Sequence, residues 1–173
     1  EELLEIHYEG GEESSSVHPV LFIELNQNSR LSIIERFNHF SSLIMPLQLI
    51  EVKDYASLNS TKIFDDNDKS YNLSAHCVLL SKKSVLNSFS LIKGGHFTRS
   101  ETHAYLNGTS AKLNLNGVYI SADNQHHDLT TAIYHNVPKC ISKQIVRGVL
   151  GGESTGVFQG KVKVAPNAQK TDG

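Results

Sequence analysis

The sequence has almost no net charge and no long apolar run, and each absence excludes a class of protein. Its 173 residues set 16 Lys and Arg against 18 Asp and Glu, which leaves no global field to attract nucleic acid or anionic lipid. The apolar runs fall short of the ~20 residues of a membrane span, and the start at Glu1 shows no signal-peptide pattern. We expect residues 1–173 to form a single domain.

Cysteine is also scarce. Cys77 and Cys140 lie 63 positions apart without a CxxC pair, so neither a zinc ribbon nor a disulfide framework is indicated. A reducing, cytoplasmic location fits this scarcity of cysteine best. The first residue is Glu1 instead of Met, which suggests a piece of a longer protein.

The common motifs of nucleophile elbows and phosphate loops are missing. No GxSxG pattern occurs, and "GVLGGESTG" from Gly148 has the glycines of a phosphate loop without the GK[ST] ending. We interpret this segment as a turn. The carboxylates of Asp65 and Asp66 lie in the turn-like stretch "FDDNDKS", where we expect solvent to surround them.

An internal repeat is the most informative feature that is present. Four segments share an apolar run, a short polar stretch and a Leu that begins a new alternating run. The first apolar positions are 27, 28 and 26 residues apart, and the second are 27, 28 and 27 apart: Leu25, Val52, Leu80, Leu106 and Leu31, Leu58, Leu86, Leu113. The same step leads to a degenerate fifth copy at Ile133 and Ile141. Such a period is typical of a solenoid.

The local pattern within each repeat favours strands. Runs such as "KLNLNGVYISA" and "GKVKVAP" have apolar residues at alternate or near-alternate positions. The sequence therefore predicts an all-β fold, a parallel β-helix with coils of about 27 residues. The segment "NSRLSIIERFNHFSSLI" could instead form a helix. The side chains that we expect to point inward are Leu113, Leu115, Val118, Ile120, Val162 and Val164.

Histidines and cysteines supply the candidate metal ligands. In "NQHHDL", His126 and Asp128 share one face of a strand, and His127 lies on the other. A site built from His126, Asp128 and a residue one coil away is geometrically possible, with a polar outer face as the plainer alternative. Cys140 could ligate iron or zinc with His135, or serve as a small buried apolar residue. We interpret Cys77 as a core strand residue.

The end of the sequence resembles a known family. The run "HNVPKCISKQIVRGVLGGESTGVFQGKVKVAPNAQKTDG", residues 135–173, is similar to SufD-like subunits of the SUF iron–sulfur cluster assembly machinery, the SufB/SufD family. "GVYISADNQHHD" fits the coil before it, and "HPVLFIELNQNSRLSIIERF" looks like the family's entry into its β-helix. The resemblance covers most of the chain and is strongest over its last third.

The resemblance implies a right-handed parallel β-helix and a scaffold role in a SufBCD-like complex. It also implies pairing with a SufB-like subunit through the end of the β-helix, and recruitment of a SufC-like ATPase by a C-terminal helical region. An iron–sulfur cluster or iron would be handled by the full complex.

Family members continue past "QKTDG", so their interface residues would fall beyond Gly173. We therefore assign no catalytic, cofactor-binding or metal residue on this chain. The positions that we expect to be structural, as turn and stacking positions, are Gly117, Gly160, Asn167, Gln169 and Asp172.

The sequence ends on a coil that nothing caps, and we expect a truncated subunit that self-associates through that end. Two other functions remain open. A β-helical carbohydrate-active enzyme would need carboxylates that converge on one sheet face, whereas the charged residues here fall mostly in turns. A purely structural solenoid would bind neither iron nor an ATPase.

Overall fold

A computed structural model describes residues 2–10, 14–39 and 43–172 of the chain. These residues form fourteen strands, and none of the described elements is a helix long and apolar enough to cross a membrane. The strands are β1 (Glu2–Gly10), β2 (Ser16–Val17), β3 (Val20–Leu25), β4 (Arg30–His39), β5 (Leu43–Ile44), β6 (Leu47–Val52), β7 (Ser57–Phe64), β8 (Tyr71–Leu80), β9 (Val85–Ile92), β10 (Phe97–Leu106), β11 (Lys112–Ser121), β12 (His126–His135), β13 (Ile141–Leu150) and β14 (Thr155–Val164).

The strands stack into two parallel sheets that wind as a β-solenoid of about six turns. The first sheet has the order β1-β4-β7-β9-β11-β13, and the second contains β2, β3, β5, β6, β8, β10, β12 and β14. Every pair of neighbouring strands is parallel, for example β8 with β10 and β9 with β11. The predicted all-β parallel β-helix is confirmed.

The observed register confirms the repeat. Leu25 pairs with Val52, Val52 with Leu80, and Leu80 with Leu106. The second series matches as well, since Leu31, Leu58, Leu86 and Leu113 are successive partners. Equivalent residues therefore lie one above the other at the ~4.8 Å spacing of paired strands.

The fifth copy exists, but its predicted register was wrong. Leu106 pairs with His135 and Leu113 with Ser142, so this coil is 29 residues long. Compared with the coil from Leu80 to Leu106, the extra residues lie in β11, which has ten residues against eight in β9, and in the turn at 107–111, which is one residue longer than the turn at 81–84. The repeat spacing of the earlier copies could not reveal this difference. Because side chains alternate between faces, the one-residue error at Ile141 placed an outward, exposed side chain in the core.

The solenoid interior has three zones along each strand. Aliphatic side chains occupy one end of the strands, with Leu58, Leu80 and Leu106 fully buried among them. At the other end of the first sheet, the rings of Tyr8, Phe37 and Phe64 stack with centroids 4.4 and 4.6 Å apart. The middle zone is polar. The interior is thus not a uniform apolar core.

Two parts of the predicted core need correction. Val118 and Ile120 point outward, and Ile120 is exposed, because alternation from Leu113 and Leu115 continues through Gly117 and Tyr119. Val162 and Val164 do point inward, yet they stay exposed because β14 is the last described strand of its sheet. The possible helix is also wrong: residues 30–39 form strand β4, and residues 40–42 lie outside the described residues.

The turns after the second-sheet strands repeat one backbone conformation. A residue with positive φ occurs once in each of five successive turns, with φ between 52° and 65°: Asn28, Tyr55, Lys83, Ser110 and Lys139. Asn28, Tyr55 and Lys83 each donate a backbone hydrogen bond to a carbonyl of the next coil, at 2.9 to 3.1 Å. A residue other than glycine in the left-handed conformation costs about 1–2 kcal/mol. Hydrogen bonds between stacked coils therefore hold these turn residues in the left-handed conformation.

Stacked aliphatic residues should dominate stability. We expect Leu80→Ala to lower the free energy of unfolding by about 2–5 kcal/mol, because Leu80 is fully buried between Val52 and Leu106. Leu47→Ala is the matched control, since Leu47 is half exposed, and it should cost well under half as much. Denaturant unfolding followed by circular dichroism measures both. Equal losses would contradict the stacking.

Candidate functional site

Buried polar side chains line the middle of the solenoid interior, and we call this set the polar lane. Its members point inward from both sheets and are all buried: Glu35, Gln48, Ser60, Lys62, Ser74, His76, Ser100 and Thr131. Glu35 and Lys62 are register partners on β4 and β7. Gln48 and His76 are register partners on β6 and β8 in the facing sheet. Consecutive coils therefore contribute adjacent members of the lane.

Sequence reasoning missed the polar lane, although strand alternation contains its signal. Glu35 lies two residues after the buried Ile33 and two before the buried Phe37, so it must point inward with them. His76 lies two residues before the buried Val78 and four before the buried Leu80, so it also points inward. A charged residue on the apolar face of a strand is normally avoided, and here it marks the site.

Glu35 and Lys62 form the charged centre of the lane. Lys62 Nζ lies 3.5 Å from Glu35 Oε2 and donates a hydrogen bond of 3.1 Å to Ser60 Oγ. Glu35 Oε1 accepts hydrogen bonds from Gln48 Nε2 and, at 3.2 Å, from the Tyr8 hydroxyl. Burial, and then the charge of Glu35, raises the pKa of Tyr8. Each charge is compensated within the interior, which is the condition for burying an ion pair.

His76 extends this network along the solenoid. Its Nδ1 is 2.9 Å from Gln48 Oε1, and its Nε2 is 3.3 Å from Ser100 Oγ. Burial, and then the charge of Lys62, holds the pKa of His76 well below its usual value, so the ring is neutral. Because an amide oxygen only accepts, Nδ1–H donates to Gln48 and Nε2 accepts from Ser100.

The order of hydroxyl, imidazole and amide resembles a nucleophile with its base. Ser100 borders a cavity of about 30 Å³, whereas sites for organic ligands are roughly ten times larger. A water-sized molecule fits there and an ester or glycoside does not. This cavity therefore does not support a hydrolase role for the Ser100–His76 pair.

The "HHD" residues lie on opposite faces of β12, as alternation predicts. His126 points outward and stacks on Phe97 with ring centroids 4.9 Å apart. His127 points inward, where its ring bonds to Ser121 Oγ at 2.7 Å and Gly94 O at 3.1 Å. Asp128 pairs with Arg99, one coil away, at 3.5 Å. Within residues 2–10, 14–39 and 43–172, no group of three or more His, Cys, Asp or Glu could hold a metal ion.

Cys140 and His135 each have separate partners. Cys140 is fully buried in the aliphatic core, with its Sγ 3.4 Å from Gly108 O. His135 Nε2 is 2.9 Å from Ser142 Oγ. Cys77 was predicted in the core, which is wrong: His76 takes the inward position, so Cys77 points outward and is half-buried. Both cysteines are free thiols.

The carboxylates of "FDDNDKS" differ from each other. Asp65 is exposed and pairs with Lys93 Nζ at 2.7 Å, in agreement with the prediction of a solvated turn. Asp66 is buried, and its Oδ2 accepts a 3.0 Å hydrogen bond from Asn72 Nδ2. The prediction of a solvated Asp66 is therefore wrong, because the inward Asn72 holds this carboxylate at the entrance to the interior.

The residues that we expected to be structural occupy stacking and turn positions. Gly117 and Gly160 lie within strands β11 and β14, not in turns. A Cβ on Gly117 would come within 2.8 Å of Leu129 Cδ1, which accounts for the absence of a side chain. Asn167 and Gln169 follow β14, and Asp172 forms a parallel bridge to Ile141.

The inward side chains of the last strands form an exposed apolar surface, which we call the end face: Leu150, Phe158, Val162 and Val164. Val162 is 45% exposed, whereas its register partner one coil earlier, Ile133, is 0% exposed. β13 and β14 are the last strands in their sheets, and among the described residues only Asp172 pairs beyond β13. Unpaired strand edges beside apolar side chains are a surface suited to another coil or chain.

A model of one protein family matches residues 7–173 of the chain, and it is described as SUF system FeS cluster assembly, SufBD core domain. The match covers nearly the whole solenoid.

Individual relatives agree with the family match. The chain is 28% identical over 169 residues to the iron–sulfur cluster assembly protein SufD of Escherichia coli, which covers 94% of this chain and 39% of that protein. It is 30% identical over 128 residues to an iron–sulfur cluster assembly SufBD family protein of Mycobacterium leprae, with 70% and 33% covered. A Mycobacterium tuberculosis protein of the same description is 29% identical over 128 residues. The chain thus spans well under half the length of these relatives.

Removing one charge from the polar lane should be strongly destabilising. We expect Lys62→Met to lower the free energy of unfolding by about 3–5 kcal/mol, because it leaves the buried Glu35 carboxylate without its partner charge. The double variant Glu35→Gln/Lys62→Met should recover much of this loss. Urea unfolding of the two single variants and the double variant measures the coupling. Additive losses would contradict a paired interior charge.

Acid should destabilise the solenoid through its inward histidines. Burial lowers the pKa of His76, His127 and His135, so the unfolded chain binds protons before the folded chain does. These histidines are neutral in both states above about pH 6.5, and stability should fall as the pH drops below that value. His76 alone contributes up to about 1.4 kcal/mol per pH unit.

Unfolding free energies from about pH 8 to about pH 5.5 test this direction. His76→Gln should flatten the slope, since it removes one titrating group. A stability that rises with acid, or a slope that His76→Gln leaves unchanged, would show that the inward histidines do not control it.

Proposed function

This chain belongs to the SufBD core domain family of the SUF system, and we propose that it is a non-catalytic scaffold of iron–sulfur cluster assembly. Iron or a cluster is the cargo of the whole complex in this proposal. The two free thiols support a reducing, cytoplasmic location.

The match of residues 7–173 to the SufBD core domain carries the proposal. The end face combines open strand edges with exposed Leu150, Phe158 and Val162. In a solenoid such a surface is covered by a further coil, a cap or a partner. We propose that the subunit pairs with a SufB-like subunit beyond this end of the coil.

A SufC-like ATPase is the second proposed partner. The resemblance to SufD-like subunits implies recruitment through a C-terminal helical region, and the described residues of this chain form strands. Since the chain spans 39% of the E. coli relative, the ATPase contact is proposed for the full-length subunit.

Co-purification tests the assembly role directly. The full-length subunit and the 173-residue chain would each be co-expressed with SufB-like and SufC-like subunits. We expect a complex with the full-length subunit and none with the shorter chain. If the full-length subunit forms no complex although it is folded by circular dichroism, the scaffold proposal is wrong.

Two further assays separate the alternatives. Anaerobic reconstitution of the complex with iron and sulfide should give cluster absorbance, which a purely structural solenoid would lack. Incubation with a panel of polysaccharides should release no reducing ends. Their release by a purified sample would favour a carbohydrate-active enzyme.

The end face should make the isolated chain self-associate. We expect sedimentation to show a concentration-dependent dimer or larger species, since Phe158 and Val162 are exposed beside an open edge. Val162→Lys should shift the chain toward monomer.

Gln159→Lys is the matched control. It adds the same charge to β14 on the outward face, two residues before Lys161, and should leave self-association unchanged. A strict monomer at high concentration would contradict the proposed contact surface.

A further inference from the structure

Three hydroxyl groups inside the solenoid have no hydrogen-bond partner among the described residues. They belong to Ser88, Ser90 and Thr102, which lie on the inward sides of β9 and β10. One coil earlier, Ser60 Oγ accepts from Lys62 Nζ at 3.1 Å. Lys62 is the register partner of Ser90, and His76, which bonds to Gln48 Oε1 at 2.9 Å, is the register partner of Thr102. The polar side chains at the same positions one coil earlier therefore have partners.

The three hydroxyls face one another across a cavity of about 30 Å³ between the two sheets. Ser100 and Thr131 add two more hydroxyls to its wall. The residues that complete the lining on the side of the later coils are Leu115, Asn116, Gly117, Leu129 and Val146. A water molecule needs about 10–15 Å³ of such space and two to four polar partners. The cavity meets both conditions.

The lining also defines the kind of molecule that would fit. Hydroxyls both donate and accept hydrogen bonds, and no Asp, Glu, Lys, Arg or His lines the cavity. A small neutral molecule that both donates and accepts matches these walls better than an ion does. Water is that molecule.

We propose that this cavity is a binding site for one or two water molecules, held by Ser88, Ser90 and Thr102. The water also reaches the hydroxyls of Ser100 and Thr131. Those two hydroxyls already bond to His76 Nε2 and, at 2.6 Å, to Gln144 Oε1. The bound water therefore joins two separate parts of the interior network.

The completed network runs through most of the solenoid. From Glu35 it passes through Gln48 to His76 and Ser100. The water then connects Ser100 to Thr131, whose hydroxyl bonds to Gln144 on β13. Without the water, this network stops at Ser100.

High-resolution crystallography of the protein tests the site. The expected result is one or two ordered peaks in the cavity, each within hydrogen-bond distance of at least two hydroxyls. Crystals pressurised with xenon should show no xenon there, because xenon occupies dry, apolar cavities. An empty cavity, a xenon peak or a collapsed lining overturns the proposal.

Variants identify the hydroxyls that hold the water. Thr102→Val keeps the shape of the side chain and removes its hydroxyl, and it should cut the occupancy of the water at least twofold. Thr130→Val is the control, since Thr130 is half-buried outside this cavity and bonds to Asp128. Full occupancy in Thr102→Val would overturn the role of Thr102. If that variant does not fold, the wild-type density alone decides whether the site exists.

Discussion

The structure depends on one constraint: each coil must bring its strands back into parallel register with the coil before it. Successive coils along one column, from Leu25 through Val52, Leu80 and Leu106 to His135, are 26 to 29 residues long. Length differences lie in strands as well as turns, since β9 has eight residues and β11 has ten, and the positive-φ residues Tyr55 and Lys83 recur in the turns. Because a shift of one residue would exchange the two faces of a strand, the register decides which side chains are buried.

The same register makes a charged interior tolerable. Glu35 and Lys62 are neighbours only because β4 and β7 are paired, and Gln48 meets His76 only because β6 and β8 are. Each isolated polar group would be costly to bury, but stacking supplies its partner from the next coil. Incorrect stacking would therefore cost more in the polar lane, where polar groups would lose their partners, than in the aliphatic zone, where one aliphatic contact can replace another with little penalty.

The interior network and the end face differ in what they imply for function. The interior network lies away from large molecules and shapes stability and its dependence on pH. The end face, with Leu150 and Val162 exposed, is a surface on which a further coil or another chain can pack. The family match supports a role in iron–sulfur cluster assembly. The proposed scaffold role would need a rigid body, and parallel stacking provides one.

Much of the fold could be predicted from the sequence, because the repeat spacing of Leu and Val directly reflects strand register. The spacing of Leu58, Leu86 and Leu113 was sufficient to predict four stacked coils. The polar lane was not predicted, because side-chain type suggested that Cys77 would be inside, whereas alternation places His76 there. An uncapped last coil was predicted from the sequence, whereas the exposure of Leu150 and Phe158 on it depends on the order of the strands in the two sheets.

The register of the paired strands can be measured directly by disulfide cross-linking. Asn87 and Asn114 are outward register partners on β9 and β11, with Asn114 Nδ2 2.8 Å from Asn87 Oδ1. In a background with Cys77→Ser and Cys140→Ser, the pair Asn87→Cys/Asn114→Cys should form a disulfide under mild oxidation, because paired strands bring Cα atoms into the range of about 4.4–6.8 Å. The pair Asn87→Cys/Asn116→Cys, two residues out of register, should not. Equal cross-linking of both pairs, or preference for the second pair, would contradict the parallel stacking of the coils.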